Sequence, residues 1–322
     1  MTRTAKFFLI LAICLILIGC AVFGAAMAMQ DWDFSKLNNH NFETNTHEIT
    51  ESFGAILVDT DTAYVEVLPS EDGVCRVICR EEEKAKHTLS VQQGVLRVEL
   101  DNNREWFDHI NIGWGTSPKI TVYLPNTEYT FLTVRTNTGY VKIDKAFRFE
   151  KLEARTTTGA IECYASCTGK MRLAASTGRI VLENASVGLL TATASTGRVR
   201  VQNVSCAGDA LINISTGKML LTDFSCQNLT STGSTGDLEM KRVVASGKIS
   251  LERSTGDITL QRCDGAELLI ETDTGDVEGT LLTEKIFIIE TDTGEIDVPK
   301  TTTGGRCEIT TDTGDIEIEI ER

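Results

Sequence analysis

The sequence predicts an all-β protein, a parallel β-solenoid (β-helix) of about ten coils of 19–20 residues with an N-terminal β cap, preceded by one transmembrane helix. Three observations carry that expectation. A Thr-Gly pair recurs ten times at a nearly fixed spacing, apolar residues stand in columns at set distances from it, and an uncharged stretch of twenty-three residues lies close to the N-terminus. A period sustained over many copies marks a stacked repeat, in which each unit buries its apolar face only against its neighbours.

Composition narrows the function before any motif is read. The 322 residues carry a formal net charge of −15, which would repel a phosphate backbone, so nucleic acid is not an expected partner. A hydrophobic share of 41% suffices for a core and argues against disorder, while 26 glycines without a G-X-Y period argue against collagen.

Taken in order, residues 1–6 carry Arg3 and Lys6 and read as a cytoplasmic N-terminus, and residues 7–29 read as a transmembrane anchor or signal segment. A helix of that length crosses a hydrocarbon core of roughly 30 Å. Basic residues before it, with Asp31 and Asp33 after it, put the C-terminal domain outside the cell as a single-pass membrane protein. Three fates stay open for the segment: it is retained, cleaved at Ala26-Met27-Ala28, or lipidated at Cys20 within the lipobox-like Leu17-Ile18-Gly19-Cys20. Each of them exports the chain.

Residues 30–130 do not follow the period and read as the N-terminal β cap. Asp72-Gly73 and Gln93-Gly94 sit between alternating runs at 63–68, 74–79, 88–91 and 95–100, which are expected to pair as hairpins, and 119–124 is a further strand. The loop from Asp101 to Gly115 gathers Trp106, Phe107 and Trp114. Aromatic residues concentrated in a loop mark either a ligand contact or a plug over the open end of a solenoid, and the plug is the preferred reading.

Residues 131–322 are the repeats, with corner glycines at Gly139, Gly159, Gly178, Gly197, Gly217, Gly236, Gly256, Gly275, Gly294 and Gly314. Positions seven and five before the glycine and two after it are apolar in nearly every copy, as in Leu190, Ala192 and Val199. Apolar residues two apart with polar ones between them are half-buried strands, so each period is strand, sharp corner, strand and a looser return. The glycine supplies a positive φ, and the Thr before it is expected to point inward and form a hydroxyl ladder. The closing run Ile316, Ile318 and Ile320 alternates with glutamates, which suits an end strand protected against edge pairing. Of the ten cysteines, eight lie beyond the apolar segment without CxxC spacing, and they read as buried hydrophobes in preference to disulfides or a zinc site.

An N-terminal apolar anchor, then Asp31-Trp32-Asp33-Phe34-Ser35-Lys36-Leu37, then an alternating β region, then Ser-Thr-Gly-Asp and Thr-Asp-Thr-Gly coils resembles the bacterial candidate-adhesin β-strand-repeat family of Gram-positive type. The likeness extends over nearly the whole chain. It implies a surface-exposed, membrane-anchored β-solenoid, in some members linked to envelope stress or adhesion, with no catalytic residues to transfer.

Three features remain as candidate sites. Asp273-Thr274-Gly275, Asp292-Thr293-Gly294 and Asp312-Thr313-Gly314 spell an aspartic-protease tripeptide, but that chemistry needs two loops facing each other, whereas these stack along one edge. The same edge carries Asp276, Glu295 and Asp315, and carboxylates one strand apart repel unless a divalent cation relieves them. Asp273, Asp276, Asp292, Glu295, Asp312 and Asp315 are therefore calcium candidates, set against simple solvation, and no other cofactor is expected. Charge is also uneven along the chain, with eight bases against four acids over 151–218 and sixteen acids against four bases over 265–322. The function that fits is a non-enzymatic cell-surface β-solenoid, an adhesin or envelope binding or sensing module. Its candidate partners are the membrane through the N-terminal helix, and wall polymers, cationic peptides or host glycans. A purely structural surface spacer and a carbohydrate-active β-helix enzyme are the alternatives, the latter disfavoured because the constant spacing leaves no long loops to build a cleft.

Overall fold

In the coil cornered at Gly197, Leu190, Ala192 and Ala194 turn inward before the corner and Val199 and Val201 after it, and all five are buried. The next coil repeats them in parallel register, Leu190 on Ala210, Gly197 on Gly217 and Val199 on Met219. This is the computed structural model of the chain, and it describes residues 3–29, 31–32, 42–102 and 117–321. Ahead of the sheet, α1 (Arg3–Met29) holds a span, Thr4–Met29, long and apolar enough to cross a membrane, with an 18-residue window of mean hydropathy 3.0.

The corner glycines all have positive φ, from 120° to 158°, but stacking constrains them more tightly than φ does. A Cβ on Gly178 would stand 1.6 Å from the carbonyl oxygen of Gly159 in the coil below. The expected inward Thr ladder is displaced. The two residues before each glycine face out together, as Ser195 and Thr196 do, because the corner breaks the alternation. The inward hydroxyl sits three before the glycine instead, where Thr136 and Thr156 are buried and donate to the carbonyls of Thr138 and Thr158 at 3.2 Å. A second corner, read above only as a loose return, is built by left-handed residues six after the glycine: Asn184, Asn203, Asp223, Arg242 and Arg262, with φ of 51° to 57°. Asn and Asp tolerate that region best, and here they also form a ladder, Asn203 Nδ2 donating to Asn184 Oδ1 at 2.7 Å.

The solenoid starts well before residue 131. β1 (Phe42–Ile49), β2 (Ala55–Thr62), β3 (Tyr64–Pro69), β4 (Cys75–Glu82), β5 (Ala85–Gln92), β6 (Val95–Asn102) and β7 (Lys119–Leu124) precede the periodic region. β2 and β3 make a coil of their own, stacked in parallel on the Gly139 coil with Ile56 on Leu132, Val58 on Val134 and Val65 on Val141. Ala63 stands at its corner. β6 and β7 stack in parallel on β2 and β3 as one more coil, so the cap proper is narrower than residues 30–130. It consists of β5 on β6, β4 on β7 and β1 on β4, all antiparallel. Gln93-Gly94 does close a two-residue hairpin, Gln92 facing Val95. Asp72-Gly73 does not, since β3 pairs with β7 and the Gly139 coil while β4 pairs with β7 and β1.

At the other end the spatial order departs from the chain order. Strand Gly305–Thr313 of the Gly314 coil lies between two others, with Cys307 on Leu268 of the Gly275 coil and on Phe287 of the Gly294 coil. The Gly314 coil is therefore inserted, and the Gly294 coil forms the end. Ile316–Ile320, expected as the terminal strand, pairs with Val277–Leu281 along its whole length. All ten cysteines are free and the eight beyond α1 are buried; burial pushes the thiols up, those of Cys163 and Cys307 to about 12.

Candidate functional site

The inward column two after each corner glycine singles out one end of the solenoid as the candidate site. Val141, Ile161, Ile180, Val199, Met219, Leu238, Ile258 and Val277 are fully buried and Ile316 is 1% exposed, whereas Ile296, the same position in the end coil, is 49% exposed. Nothing covers the core there among the described residues, because strand Lys285–Thr293 pairs only with Gly305–Thr313 and Ile296–Asp297 only with Ile316–Ile320. Phe287, Ile289 and Val298 are half-buried on the same open face, and Ile286 and Ile288 are exposed beside it. The opposite end, which the chain reaches first after α1, is closed by β1, β4 and β5.

Beside the open face lies a cleft of about 910 Å³ lined by Leu282, Asp297, Val298, Pro299, Ile318 and Ile320 among others. It exists because Ile296–Asp297 is two residues long while the strand inside it runs to Ile320, so beyond Asp297 the outer edge of that strand has no paired neighbour among the described residues. Pro299 ends the short strand, having no N–H for a ladder. The rim is acidic, with Glu290, Asp292, Glu295 and Asp297 on the end coil and Glu317, Glu319 and Glu321 next to it. Arg262 pairs with Glu321 at 3.0 Å, and the buried Lys285 pairs with Asp264 at 2.6 Å. An exposed strand edge over uncovered apolar residues is the kind of surface to which an extended polypeptide can add a strand, and the rim here carries one sign of charge. The sequence carried one signal of this, since Pro299 is the only proline after Pro125.

The calcium candidates divide into two rows. Asp276, Asp315 and Glu295 form one file after the corners, in that spatial order, and each is tied to the next. The N–H of Asp276 donates to Asp257 Oδ1 at 3.0 Å, that of Asp315 to Asp276 Oδ1 at 2.8 Å, and that of Glu295 to Asp315 Oδ1 at 2.8 Å. Asp273, Asp292 and Asp312 are exposed on the other flank of the corners. Among the described residues, the group of three side chains whose ligand atoms gather within 4.8 Å is elsewhere, at Cys79, Glu81 and His87. Trp106, Phe107 and Trp114 lie outside the described residues.

Among solved structures, a candidate adhesin from Parabacteroides merdae is similar to this chain with a TM-score of 0.50 at 12% identity, over 75% of this chain and 97% of its own. A candidate lipid-binding protein from Parabacteroides distasonis gives 0.48 at 14%, over 88% and 98%. A candidate adhesin from the same organism gives 0.44 at 11%, over 88% and 98%. The first of these supports the fold and nothing finer. None of the curated proteins matches the chain. A family model matches residues 53–278, from just before β2 into the Gly275 coil.

Proposed function

The chain belongs to the Toastrack DUF4097 family, whose model spans those residues, and from that premise we propose a non-enzymatic cell-surface rod that binds an extended, cationic peptide segment at its open distal end. The N-terminal helix exports the chain and holds its closed end toward the membrane, which leaves the open end outermost. The bound segment adds a strand along Lys285–Thr293, satisfying the free edge with main-chain hydrogen bonds and covering Ile296, Phe287 and Ile289, while its lysines and arginines meet the acidic rim. The observation that carries the proposal is the exposure of Ile296 in a column that is otherwise buried.

The test uses the full-length protein in nanodiscs against a panel of wall polymers, host glycans and an alternating Lys/Val peptide, read by biolayer interferometry. The peptide is expected to bind, more weakly as salt rises, and Ile296→Lys is expected to lower affinity at least tenfold. Absence of peptide binding, or binding that Ile296→Lys leaves unchanged, removes the distal end as the site. Absence of binding by every probe favours a structural spacer.

A further inference from the structure

The three buried side chains Cys79, Glu81 and His87 meet where the cap is laid on the first coils. β4 alternates, so Cys79 and Glu81, two apart, face the same way, and β5 brings His87 across to them. Their exposures are 0%, 1% and 6%, and a ligand atom from each lies within 4.8 Å of the other two. We propose that this cluster is a structural zinc site that clasps the cap to the solenoid.

The hydrogen bonds around the cluster are those that orient metal ligands. Asn45 Nδ2, from β1, donates to Glu81 Oε1 at 2.8 Å, leaving Oε2 turned to the centre, 2.7 Å from His87 Nδ1. On the far side of the ring, His87 Nε2 stands 2.9 Å from Thr60 Oγ1, a residue of β2. A ligating histidine normally hands its other ring N–H to an acceptor in this manner, and a ligating carboxylate normally has its free oxygen occupied. The main-chain N–H of His87 also donates to Glu81 Oε2, at 2.6 Å, so β5 is already fastened to that carboxylate. Nδ1, Oε2 and Sγ face one another around one point.

Charge supports the same reading. Glu81 and a Cys79 thiolate carry two negative charges, and a divalent cation neutralises both inside a region where an uncompensated charge is costly. On binding, the thiol gives up its proton to solvent, His87 binds through Nδ1 with its proton on Nε2 toward Thr60, and Glu81 binds as the carboxylate. Thiolate, imidazole and carboxylate together suit zinc, with a water as the fourth ligand of a tetrahedral ion. Such an ion would hold its ligands about 3.3–3.6 Å apart, so Nδ1 and Oε2, now hydrogen-bonded at 2.7 Å, would part by about half an ångström as the ion takes the place of that bond. The four residues that hold or orient the ion besides Cys79 come from β1, β2, β4 and β5, so the ion would tie the antiparallel cap to the parallel stack.

The experiment takes the full-length protein in detergent, stripped with chelator, and adds Zn(II) or Co(II). One equivalent of zinc is expected to be retained after desalting and to raise Tm, and one equivalent of cobalt to give tetrahedral d–d absorption with a thiolate-to-cobalt charge-transfer band. Cys79→Ser is expected to abolish that band, and His87→Gln to weaken zinc at least a hundredfold, with the β-sheet circular dichroism retained. The wild-type cobalt spectrum needs no variant to fold. No retained zinc, a cobalt spectrum without the thiolate band, or a band that persists in Cys79→Ser would overturn the assignment in favour of a metal-free polar network.

Discussion

Arg253 is an arginine inside a solenoid, 1% exposed at the inward position where most other coils place Thr or Ala and two place Ile214 and Gly233. It fits because its stacked neighbour is Gly233, with no side chain to displace, and because Ser231 Oγ accepts from its Nη2 at 2.9 Å while the Glu252 carbonyl takes Nη1 at 2.7 Å. Its Nε and the hydroxyl of Thr272 in the adjacent coil are both buried without a partner among the described residues. Burial pulls the guanidinium down to about 10. A base whose native pKa lies below its unfolded value is disfavoured in its charged form by folding, so the cost is present at neutral pH and fades as pH rises through about 10, where the native state sheds the proton first. Arg253→Met is therefore expected to match or exceed wild type by about 1–3 kcal/mol in urea unfolding at pH 7. The gap should narrow toward pH 10.5. A loss of more than about 1 kcal/mol at pH 7 would mean that the two hydrogen bonds outweigh the desolvation.

At the scale of the element, a coil is held to the next by ladders at both corners as much as by its core. At the glycine corner the ladder is backbone approach so close that no Cβ fits. At the left-handed corner it is Asn on Asn, or Arg242 on Asp223 with Nη2 donating to Oδ2 at 2.7 Å, an interaction that lowers the Asp223 pKa. On the acidic flank Asp257, Asp276 and Asp315 each accept an N–H from the next coil and repel the next carboxylate at once. Asp276→Asn keeps an acceptor oxygen and removes the charge, so it should raise Tm, and Asp276→Ala should lower it by orphaning the Asp315 N–H. Sodium chloride should stabilise the wild type by screening. If the file is simply solvated, calcium and magnesium at equal ionic strength give the same Tm. A clearly higher Tm in calcium, lost in Asp276→Asn with Asp292→Asn, would make it a cation site.

Across the whole molecule the two ends are built on opposite principles. One is sealed by antiparallel strands, and the other presents an unpaired edge over an uncovered core. Free edges of this kind invite pairing with a second copy, and like charge is a common protection against it. Residues 265–322 hold sixteen acids against four bases in a chain whose formal net charge is −15, so the distal coils are the strongly acidic end and two copies approach end to end against their own repulsion. Sedimentation velocity of the full-length protein in nanodiscs should show single particles at low salt and a salt-dependent fraction of pairs near 1 M sodium chloride. Ile288→Lys should suppress the pairs. Pairing that is strongest at low salt would assign the acidic rim a different role.

The period, the inward columns, the Gln93-Gly94 hairpin and the apolar span of α1 are legible in the sequence because each depends on residues a fixed, short distance apart. The coil of Ala55–Pro69 is not, since some sixty residues of cap and outer coil separate it from Tyr129 and Ala63 replaces its glycine. Nor is the meeting of Cys79, Glu81 and His87 with Thr60, which requires β2, β4 and β5 to be placed together. The order of the last coils is the deepest of these gaps. The Gly294 and Gly314 coils present interchangeable columns, Ile289 with Ile309 and Ile296 with Ile316, so periodicity alone cannot rank them along the rod. They differ seven before the glycine, where Phe287 is half-buried at the end and the smaller Cys307 is fully buried between Leu268 and Phe287. Volume inside a close-packed stack is a property of three coils at once, and a one-coil pattern does not contain it.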